Sequence, residues 1–286
     1  NKKAKFLKID IKKTKIINKI INKYKIDSII HLAASLVIGE GEKYPKKYFK
    51  NNVLGTKNLI MSVKNSNVKN FIFSSTAAVY KDGTTRVTER SKVKPKSVYG
   101  KTKLAAEKII IKHCKKDKIN FGILRYFNIV GSSPSGKIGL INKGDHLFKN
   151  YSMQINKKNP VLKVYGTDYR TKDGSCVRDF IHVSDLAEIH YLTAKYLIKN
   201  NKSQIFNCGY GRGYSVLEVV DNMNSIIKKK IPIIFGKRRN KDIEISISST
   251  KKFHKYIKWK PKFNNLKYIL KTSFEWEKKL KYIKKL

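Results

Sequence analysis

Residues 71–103 read FIFSSTAAVYKDGTTRVTERSKVKPKSVYGKTK, a sequence that predicts a buried strand, a connecting segment and the start of a helix. It begins with an apolar, β-branched and aromatic run, typical of a buried strand, that ends in the hydroxyls of Ser74, Ser75 and Thr76. It closes on a helical pattern in which Tyr99 and Lys103 are four residues apart, so both side chains lie on one helix face. A lysine cation beside a phenol favours the phenolate and lowers its pKa, and a strand-end Thr hydroxyl can complete a proton relay.

On both sides of this stretch, strand and helix patterns alternate. Such alternation predicts an α/β fold with a Rossmann-type doubly wound parallel sheet and helices on both faces. Small residues at the carboxyl end of the strand at 27–34 would let a ligand approach the backbone. The predicted elements are a strand at 5–11, a helix at 14–24, a strand at 27–34, a helix at 45–65, strands at 71–75 and 120–126, and a helix from Tyr99 to Lys116.

After residue 130 the pattern changes, and a turn-rich segment at 131–136 introduces a second part of the chain. We therefore predict a sheet domain at 1–130 and a smaller C-terminal substrate lobe at 131–286, with segments around 176–208 returning to the sheet. Ser215 and Glu218 have the spacing of a helix capping box. The other predicted elements are helices at 146–157 and 184–199 and strands at 162–165, 203–209 and 231–235, and the stretch at 177–183 leads to the second of these helices.

A dinucleotide-binding fold opens with a strand, a G-x-G-x-x-G turn and a helix. This chain has no such opening segment and begins at Asn1 rather than Met. The Gly-rich stretch at 209–213 lies too late in the chain and is expected to be a turn before the capped helix. The expectation is a fragment that lacks the first βαβ unit, binds its dinucleotide poorly and is unstable by itself.

Several short stretches together resemble one known family, the UDP-glucose 4-epimerases of the extended short-chain dehydrogenase/reductase superfamily. They are RYFNIVG at 125–131, DYRTKDG at 168–174, VRDFIHV at 177–183, HLAA at 31–34, YFKNN at 48–52 and the spacing Arg239-x-x-Asp242. The resemblance spans residues 10–259. Ala77 and Ala78 stand where related dehydratases carry an Asp-Glu pair, which favours an epimerase.

The resemblance implies NAD as cofactor and interconversion of UDP-glucose and UDP-galactose through a transient 4-keto sugar. It implies that Tyr99 is the base, that Thr76 hydrogen-bonds at the sugar 4-hydroxyl, and that Lys103 binds the nicotinamide ribose and lowers the pKa of Tyr99. The implied cofactor-binding residues are Tyr99, Lys103, Asp10, Ile11, Ala33, Ala34, Asn51 and Phe127. The implied substrate-binding residues are Thr76, Asn128, His146, Leu147, Arg178, Arg239 and Asp242. No metal is implied.

Simpler structural explanations exist for several of these residues. Thr76 can cap the loop that follows its strand, and Asp10 and Asn51 can cap element ends. Arg178 can pair with its neighbour Asp179. His31 and His182 are expected to be structural rather than reactive.

The composition is strongly basic, with 64 Lys and Arg against 20 Asp and Glu and a formal net charge of +44. The basic residues are spread along the chain, and only eight are arginines, the residue with a rigid fork for phosphate. Compositional bias is therefore favoured over a specific nucleic-acid role. No run reaches the ~18 apolar residues of a membrane span. Three widely spaced cysteines indicate reduced thiols of a cytoplasmic protein.

Two further expectations follow from the resemblance. Ser246 stands at a position that is bulky in some members and small in others, which suggests tolerance of UDP-N-acetylhexosamines. A homodimer is expected through the Tyr99 helix and the helix after Asn52. Two rival functions remain open: another UDP-sugar epimerase or decarboxylase of the same superfamily, and a non-catalytic basic binding protein on a degenerate scaffold.

Overall fold

The computed structural model describes residues 4–83, 86–141, 146–239 and 242–283. The strands are β1 (Ser28–His31), β2 (Asn70–Thr76), β3 (Arg86–Val87), β4 (Asn120–Tyr126), β5 (Asn128–Val130), β6 (Leu162–Tyr165), β7 (Val177–His182), β8 (Gln204–Cys208), β9 (Gly213–Ser215), β10 (Ile233–Gly236) and β11 (Ile245–Ser248). The helices are α1 (Thr14–Lys23), α2 (Ile38–Lys43), α3 (Pro45–Tyr48), α4 (Gly55–Ser62), α5 (Val98–Lys116), α6 (Leu147–Ile155), α7 (Val183–Asn200), α8 (Val216–Ile227), α9 (Lys251–Tyr256) and α10 (Leu266–Ile283).

The main sheet has the strand order β1-β2-β4-β8, and all its pairs are parallel. Successive residues of β2 face opposite sides, as the period of two in a strand requires. Phe71 and Phe73 pack with Ile110 of α5 and with α1 and α4, whereas Ile72 packs on the other side with Leu186 of α7 and with α9. The predicted doubly wound parallel sheet is therefore confirmed.

The second part of the molecule is built on two smaller sheets. One has the order β3-β11-β7-β5, with β9 paired to β7, and the other joins β10 to β6. Helices α6, α8 and α10 cover these strands around a core that includes Leu162, Val219 and Leu270, all fully buried. The predicted capping box is confirmed, because Ser215 Oγ accepts from the Glu218 N–H while the Glu218 carboxylate accepts from the Ser215 N–H.

The strand predicted at residues 5–11 is wrong. Residues 4–10 have no regular secondary structure, and a turn follows at 11–12. Alternating side chains favour an extended chain, but a strand also needs a neighbour for its backbone N–H and C=O groups. Within the described residues, β1 pairs only with β2 and leaves no partner for this segment.

The helix predicted at residues 45–65 is interrupted in its middle. The six residues Phe49–Leu54 form a π-helix between α3 and α4. A π-turn takes one extra residue into the helix and often marks a functional site. None of the helices in the described ranges is long and apolar enough to cross a lipid bilayer.

Candidate active site

The site lies at the carboxyl end of the main sheet, where β2 meets the start of α5. Ser97 caps α5 by accepting a hydrogen bond from the Gly100 N–H at 3.1 Å. A Cβ at position 100 would clash with the carbonyl oxygen of Ala78, so glycine lets α5 begin directly against the turn after β2. This close approach brings Tyr99 to the end of β2.

Thr76 and Tyr99 meet side chain to side chain. The Thr76 hydroxyl lies near the Tyr99 phenol, and its proximity lowers the pKa of Tyr99. Thr76 Oγ1 also accepts from the Ala78 N–H at 3.2 Å, so the capping role and the contact with Tyr99 coexist. Burial outweighs the effect of Thr76 and raises the pKa of Tyr99 to about 12. Lys103 was expected to lower the pKa of Tyr99, but it is not among the groups that shift this pKa in the structure.

Lys103 lies one turn further along α5 and is only 2% exposed. Its Nζ is 4.1 Å from the centroid of the Phe73 ring. Burial lowers the pKa of Lys103 to about 7, although the nearby Glu107 carboxylate raises it. The lysine is thus held in an apolar setting where its charge is costly until a ligand offers polar atoms.

A buried ion pair packs under this part of α5, and the sequence analysis did not predict it. Arg125 Nε and Nη2 donate to the two oxygens of Glu107 at 3.0 and 2.7 Å, and the Ser75 hydroxyl donates to the same carboxylate. The Tyr80 ring lies 4.8 Å from the Arg125 guanidinium. The (i, i+4) spacing of Lys103 and Glu107 was the available signal, but in a lysine-rich chain it carries little information.

The residues expected at the cofactor lie along the same edge of the sheet. Asn51, in the π-helix, donates from Nδ2 to Ser35 Oγ at 3.0 Å, beside Ala33 and Ala34 in the loop after β1. Ala33 is exposed, so its backbone is open to a ligand. Phe127 follows β4 and is buried against Val79, Tyr80 and Val87.

Asp10 and Ile11 precede α1. Asp10 Oδ1 accepts from the Lys12 N–H at 2.9 Å, which holds the pKa of this exposed carboxyl below its usual value. The Ile11 side chain approaches Gly55, the first residue of α4. Asp10 therefore forms a local turn, and Ile11 contacts the start of α4, directly after the π-helix that carries Asn51.

Three of the expected substrate residues form one cluster. Arg178 Nη2 donates to Asp242 Oδ1 at 2.6 Å, and Arg239 Nη2 lies 3.2 Å from Asp242 Oδ2. The alternative pairing of Arg178 with Asp179 is wrong. Asp179 is fully buried and instead accepts hydrogen bonds from Tyr210, Gly211 and Ser248, because β7 directs neighbouring side chains to opposite faces.

Asn128 lies between Phe127, on the expected cofactor side, and Arg178 of the expected substrate cluster. It follows Phe127 directly, and its Nδ2 donates to the carbonyl oxygen of Asp179 at 3.1 Å, next to Arg178. His146 and Leu147 lie at the start of α6, where His146 is the N-cap residue and Leu147 packs on the core of the second part. Asn128 therefore contacts β7, the strand that carries Arg178. His146 lies at the start of α6.

The two histidines expected to be structural are buried and hydrogen-bonded. His31 Nε2 lies 2.9 Å from Thr56 Oγ1, and burial lowers the pKa of His31 to about 3. His182 caps α7 by accepting the Ser184 N–H at its Nδ1. Burial also lowers the pKa of His182.

Tyr165 was missed by the sequence patterns. It ends β6, is 37% exposed, and its ring lies 5.5 Å from the Arg239 guanidinium. An exposed aromatic face beside a cluster of arginines suits a planar base attached to an anion. The sequence signal that could have indicated Tyr165 was an aromatic residue at the end of a predicted strand, directly before a glycine.

The arrangement combines three chemical capacities. A hydroxyl–phenol pair can exchange a proton with a bound hydroxyl group, and a buried lysine can bind hydroxyl oxygens. An arginine pair can hold an anion through charge-assisted hydrogen bonds. Across the described residues no group of three His, Cys, Asp or Glu side chains is placed to bind a metal ion.

Comparison with known proteins agrees with this chemistry. Residues 1–209 match the family described as the NAD dependent epimerase/dehydratase family. A UDP-glucose 4-epimerase of Lactobacillus helveticus is 37% identical over 280 residues, which cover 96% of this chain and 84% of that protein.

Two solved structures share the fold. The UDP-glucose 4-epimerase of Stenotrophomonas maltophila, with bound NAD and formylated UDP-arabinopyranose, superposes with a TM-score of 0.93 at 29% identity, covering 97% of this chain and 84% of that one. The UDP-Glc/GlcNAc 4-epimerase of Campylobacter jejuni superposes with a TM-score of 0.83 at 36% identity, covering 96% of this chain and 84% of that one.

Proposed function

This chain belongs to the NAD dependent epimerase/dehydratase family, and from that premise we propose that it interconverts UDP-glucose and UDP-galactose, with Tyr99 as the base. The observation that carries the proposal is the contact between Thr76 and Tyr99, with Lys103 on the same face of α5. A hydroxyl–phenol pair backed by a buried lysine is suited to moving the proton of a secondary alcohol while its carbon is oxidised.

The residues present fit NAD as cofactor. Exposed Ala33 opens the backbone at the carboxyl end of β1, and the Asn51 amide lies beside that loop. Lys103 is buried, and burial lowers its pKa to about 7, so ribose hydroxyls would satisfy a charge that the apolar setting disfavours. Asp10, Ile11 and Phe127 would complete the contacts. When bound, oxidised NAD supplies a hydride acceptor for the sugar C4 and a positive charge near Tyr99.

The protein's own residues would act on the proton and on the diphosphate. Tyr99, as the phenolate, takes the 4-hydroxyl proton and becomes the phenol, while Thr76 hydrogen-bonds at the same 4-hydroxyl. Arg178 and Arg239 hold the diphosphate, with Asn128 and His146–Leu147 beside it, and Asp242 meets a ribose hydroxyl. With the UDP end held, the 4-keto hexose could turn about its diphosphate link and present its other face, which would allow inversion at C4. Tyr165 would stack on the uracil ring.

Acetamido sugars are a further proposed substrate class. Ser246 pairs in register with Arg178 across β11 and β7, so a small side chain stands next to the substrate cluster. The Campylobacter jejuni relative is named for both UDP-Glc and UDP-GlcNAc. Comparable turnover of both sugar pairs is expected, and strict exclusion of the N-acetyl sugars would refute this part of the proposal.

We further propose a homodimer formed through α4 and α5. Met61 and Leu54, on and next to α4, are about two-fifths exposed although they are apolar, which is typical of a helix face covered by a partner. The three cysteines are buried and unpaired, which supports a reducing compartment such as the cytoplasm.

The decisive experiment follows product formation from UDP-galactose in the presence of NAD. UDP-glucose should accumulate to an equilibrium mixture, and Tyr99→Phe should lower kcat by about 10²–10⁴-fold. The control is Tyr191→Phe, at an exposed residue of α7. Turnover of UDP-glucuronate alone would instead support another UDP-sugar enzyme, and salt-sensitive nucleic-acid binding without turnover would support the non-catalytic alternative.

A further inference from the structure

Asn52 lies at the centre of a buried hydrogen-bond network behind the site. It is 2% exposed and belongs to the π-helix that follows α3. Its Oδ1 accepts from the Ser35 N–H at 2.8 Å, and its Nδ2 donates to the Ser35 carbonyl at 2.9 Å. The second Nδ2 hydrogen goes to Thr102 Oγ1 at 3.1 Å. The amide therefore uses both donors and its acceptor.

The geometry allows only one orientation of this amide. If the oxygen and nitrogen were exchanged, the amine would face the Ser35 N–H and the oxygen would face the Ser35 carbonyl. Thr102 Oγ1 in turn donates to the Tyr99 carbonyl at 2.8 Å. One side chain thus connects the loop after β1 to the turn of α5 that carries both Tyr99 and Lys103.

The backbone of Asn52 extends the network to β1. The Thr56 hydroxyl donates to the Asn52 carbonyl at 2.6 Å, so it accepts from His31 Nε2 at 2.9 Å. The neighbouring Asn51 contacts Ser35 from the same π-helix. The extra residue of the π-turn lets two consecutive asparagines face one loop, whereas successive residues of an α-helix diverge by about 100°.

We propose that Asn52 is a positioning residue for the reaction, whose side-chain amide sets the placement of Tyr99 and Lys103 relative to the loop at 33–35. The proposal rests on the function proposed above, in which that loop lines the cofactor and α5 carries the base. A displacement of about 1 Å between reacting groups can cost ~10²-fold in rate. Asn52 is buried, and its side chain acts through Ser35 and Thr102.

The first test is Asn52→Asp, which keeps the shape but removes both donors. The introduced carboxylate would repel the Ser35 carbonyl, so kcat should fall by about 10- to 100-fold with little change in KM for UDP-galactose. Lowering the pH protonates the carboxyl and restores one donor. The kcat of the variant should therefore rise relative to wild type between pH 8 and pH 6, a recovery that a purely structural defect would not show.

Asn70→Asp is the matched control. Asn70 is 4% exposed and donates to Ser28 Oγ at 3.2 Å, but it lies at the amino end of β2, at the opposite edge of the sheet. It should lose comparable stability and keep kcat within about twofold, since distant sites act independently. Equal kcat losses in the two variants, or an Asn52→Asp variant with wild-type kcat, would overturn the proposal.

Thr102 provides a second test, and its single variants do not depend on the folding of the Asn52 variant. Thr102→Val should lower kcat, Thr102→Ser should restore it, and the Thr102→Val effect should vanish in an Asn52→Asp background. Equal activity of the Val and Ser variants would refute the link. Amide hydrogen exchange at 98–104 should accelerate in Thr102→Val whether or not the protein turns over UDP-sugars, so failure of the proposed function and failure of the link are distinguishable.

Discussion

Arg125 and Glu107 form a buried two-point ion pair that joins β4 to α5 beneath the candidate catalytic residues. Arg125 is 5% exposed and Glu107 is 1% exposed. The ion pair fixes the distance between α5 and the sheet. Because α5 carries Tyr99 and Lys103, the pair also fixes the positions of these two residues. A buried pair of this kind is costly to break, since either charge alone is desolvated without a partner.

Glu107→Gln should destabilise the protein by about 3–5 kcal/mol, because the Arg125 guanidinium is left as an unpaired buried charge. Urea denaturation measures the free energy of unfolding. The control is Glu275→Gln, which removes the partner of Lys271 in an exposed pair at 3.9 Å and should cost at most about 0.5 kcal/mol. Similar losses in the two variants would show that the ion pair at 107 and 125 is solvated.

Lys103→Met should stabilise the ligand-free protein while abolishing turnover. Burial lowers the pKa of Lys103 to about 7 from 10.5, so the unfolded chain binds its proton more tightly and the lysine costs stability below pH 10.5. The gain at pH 7 is on the order of 2–4 kcal/mol. Lys101→Met, on the exposed face of the same helix, should leave the free energy of unfolding nearly unchanged.

The same variant should respond less to NAD. If ribose hydroxyls satisfy Lys103, the rise in Tm on adding NAD should be clearly smaller in Lys103→Met than in wild type. An equal rise in both proteins would show that Lys103 makes no contact with the cofactor.

Acid should destabilise the protein through His31. Burial lowers the pKa of His31 to about 3, below the value of 6.5 expected in the unfolded chain. The stability that depends on neutral His31 is therefore present above pH 6.5 and falls by about 1.4 kcal/mol per pH unit below it. His31→Gln should have a shallower decline between pH 7.5 and pH 5 in urea titrations, and parallel declines would contradict the assignment.

Arg178→Lys should weaken UDP binding by about 10- to 100-fold, because lysine cannot keep both the Asp242 contact and a bidentate grip on phosphate. Isothermal titration calorimetry gives the Kd directly. Arg238→Lys is the matched control, since Arg238 pairs with Asp168 and stacks on Tyr169 instead. A larger loss of UDP affinity in Arg238→Lys would show that the diphosphate does not bind at the cluster of Arg178, Arg239 and Asp242.

The sequence predicted those parts of the fold that depend on local pattern. β4 begins and ends where the apolar run at 120–126 does, and α5 ends at Lys116 as its periodicity indicated. The contact of Thr76 with Tyr99 was also accessible, because a strand end and the next helix start meet at one edge of a parallel sheet.

The features that the sequence did not reveal depend on partners far apart in the chain. Residues 4–10 alternate like a strand but have no neighbour to pair with among the described residues. Asn52 and Thr102 are 50 residues apart, and Arg125 and Glu107 are brought together only when α5 packs on the sheet. The pKa of Tyr99 depends on how deeply the phenol is enclosed, which spacing alone does not encode.

The π-helix at Phe49–Leu54 makes the chain sensitive to length as well as to composition. Removing one residue there, such as the exposed Lys50, would let the turn close as an ordinary α-helix. Everything before the deletion would then rotate by about 100° relative to everything after it, so Thr56 and the two asparagines could not face their present partners together. A substitution at Lys50 should be tolerated, whereas its deletion should not. An alignment of this segment should therefore preserve the number of residues before it matches residue types.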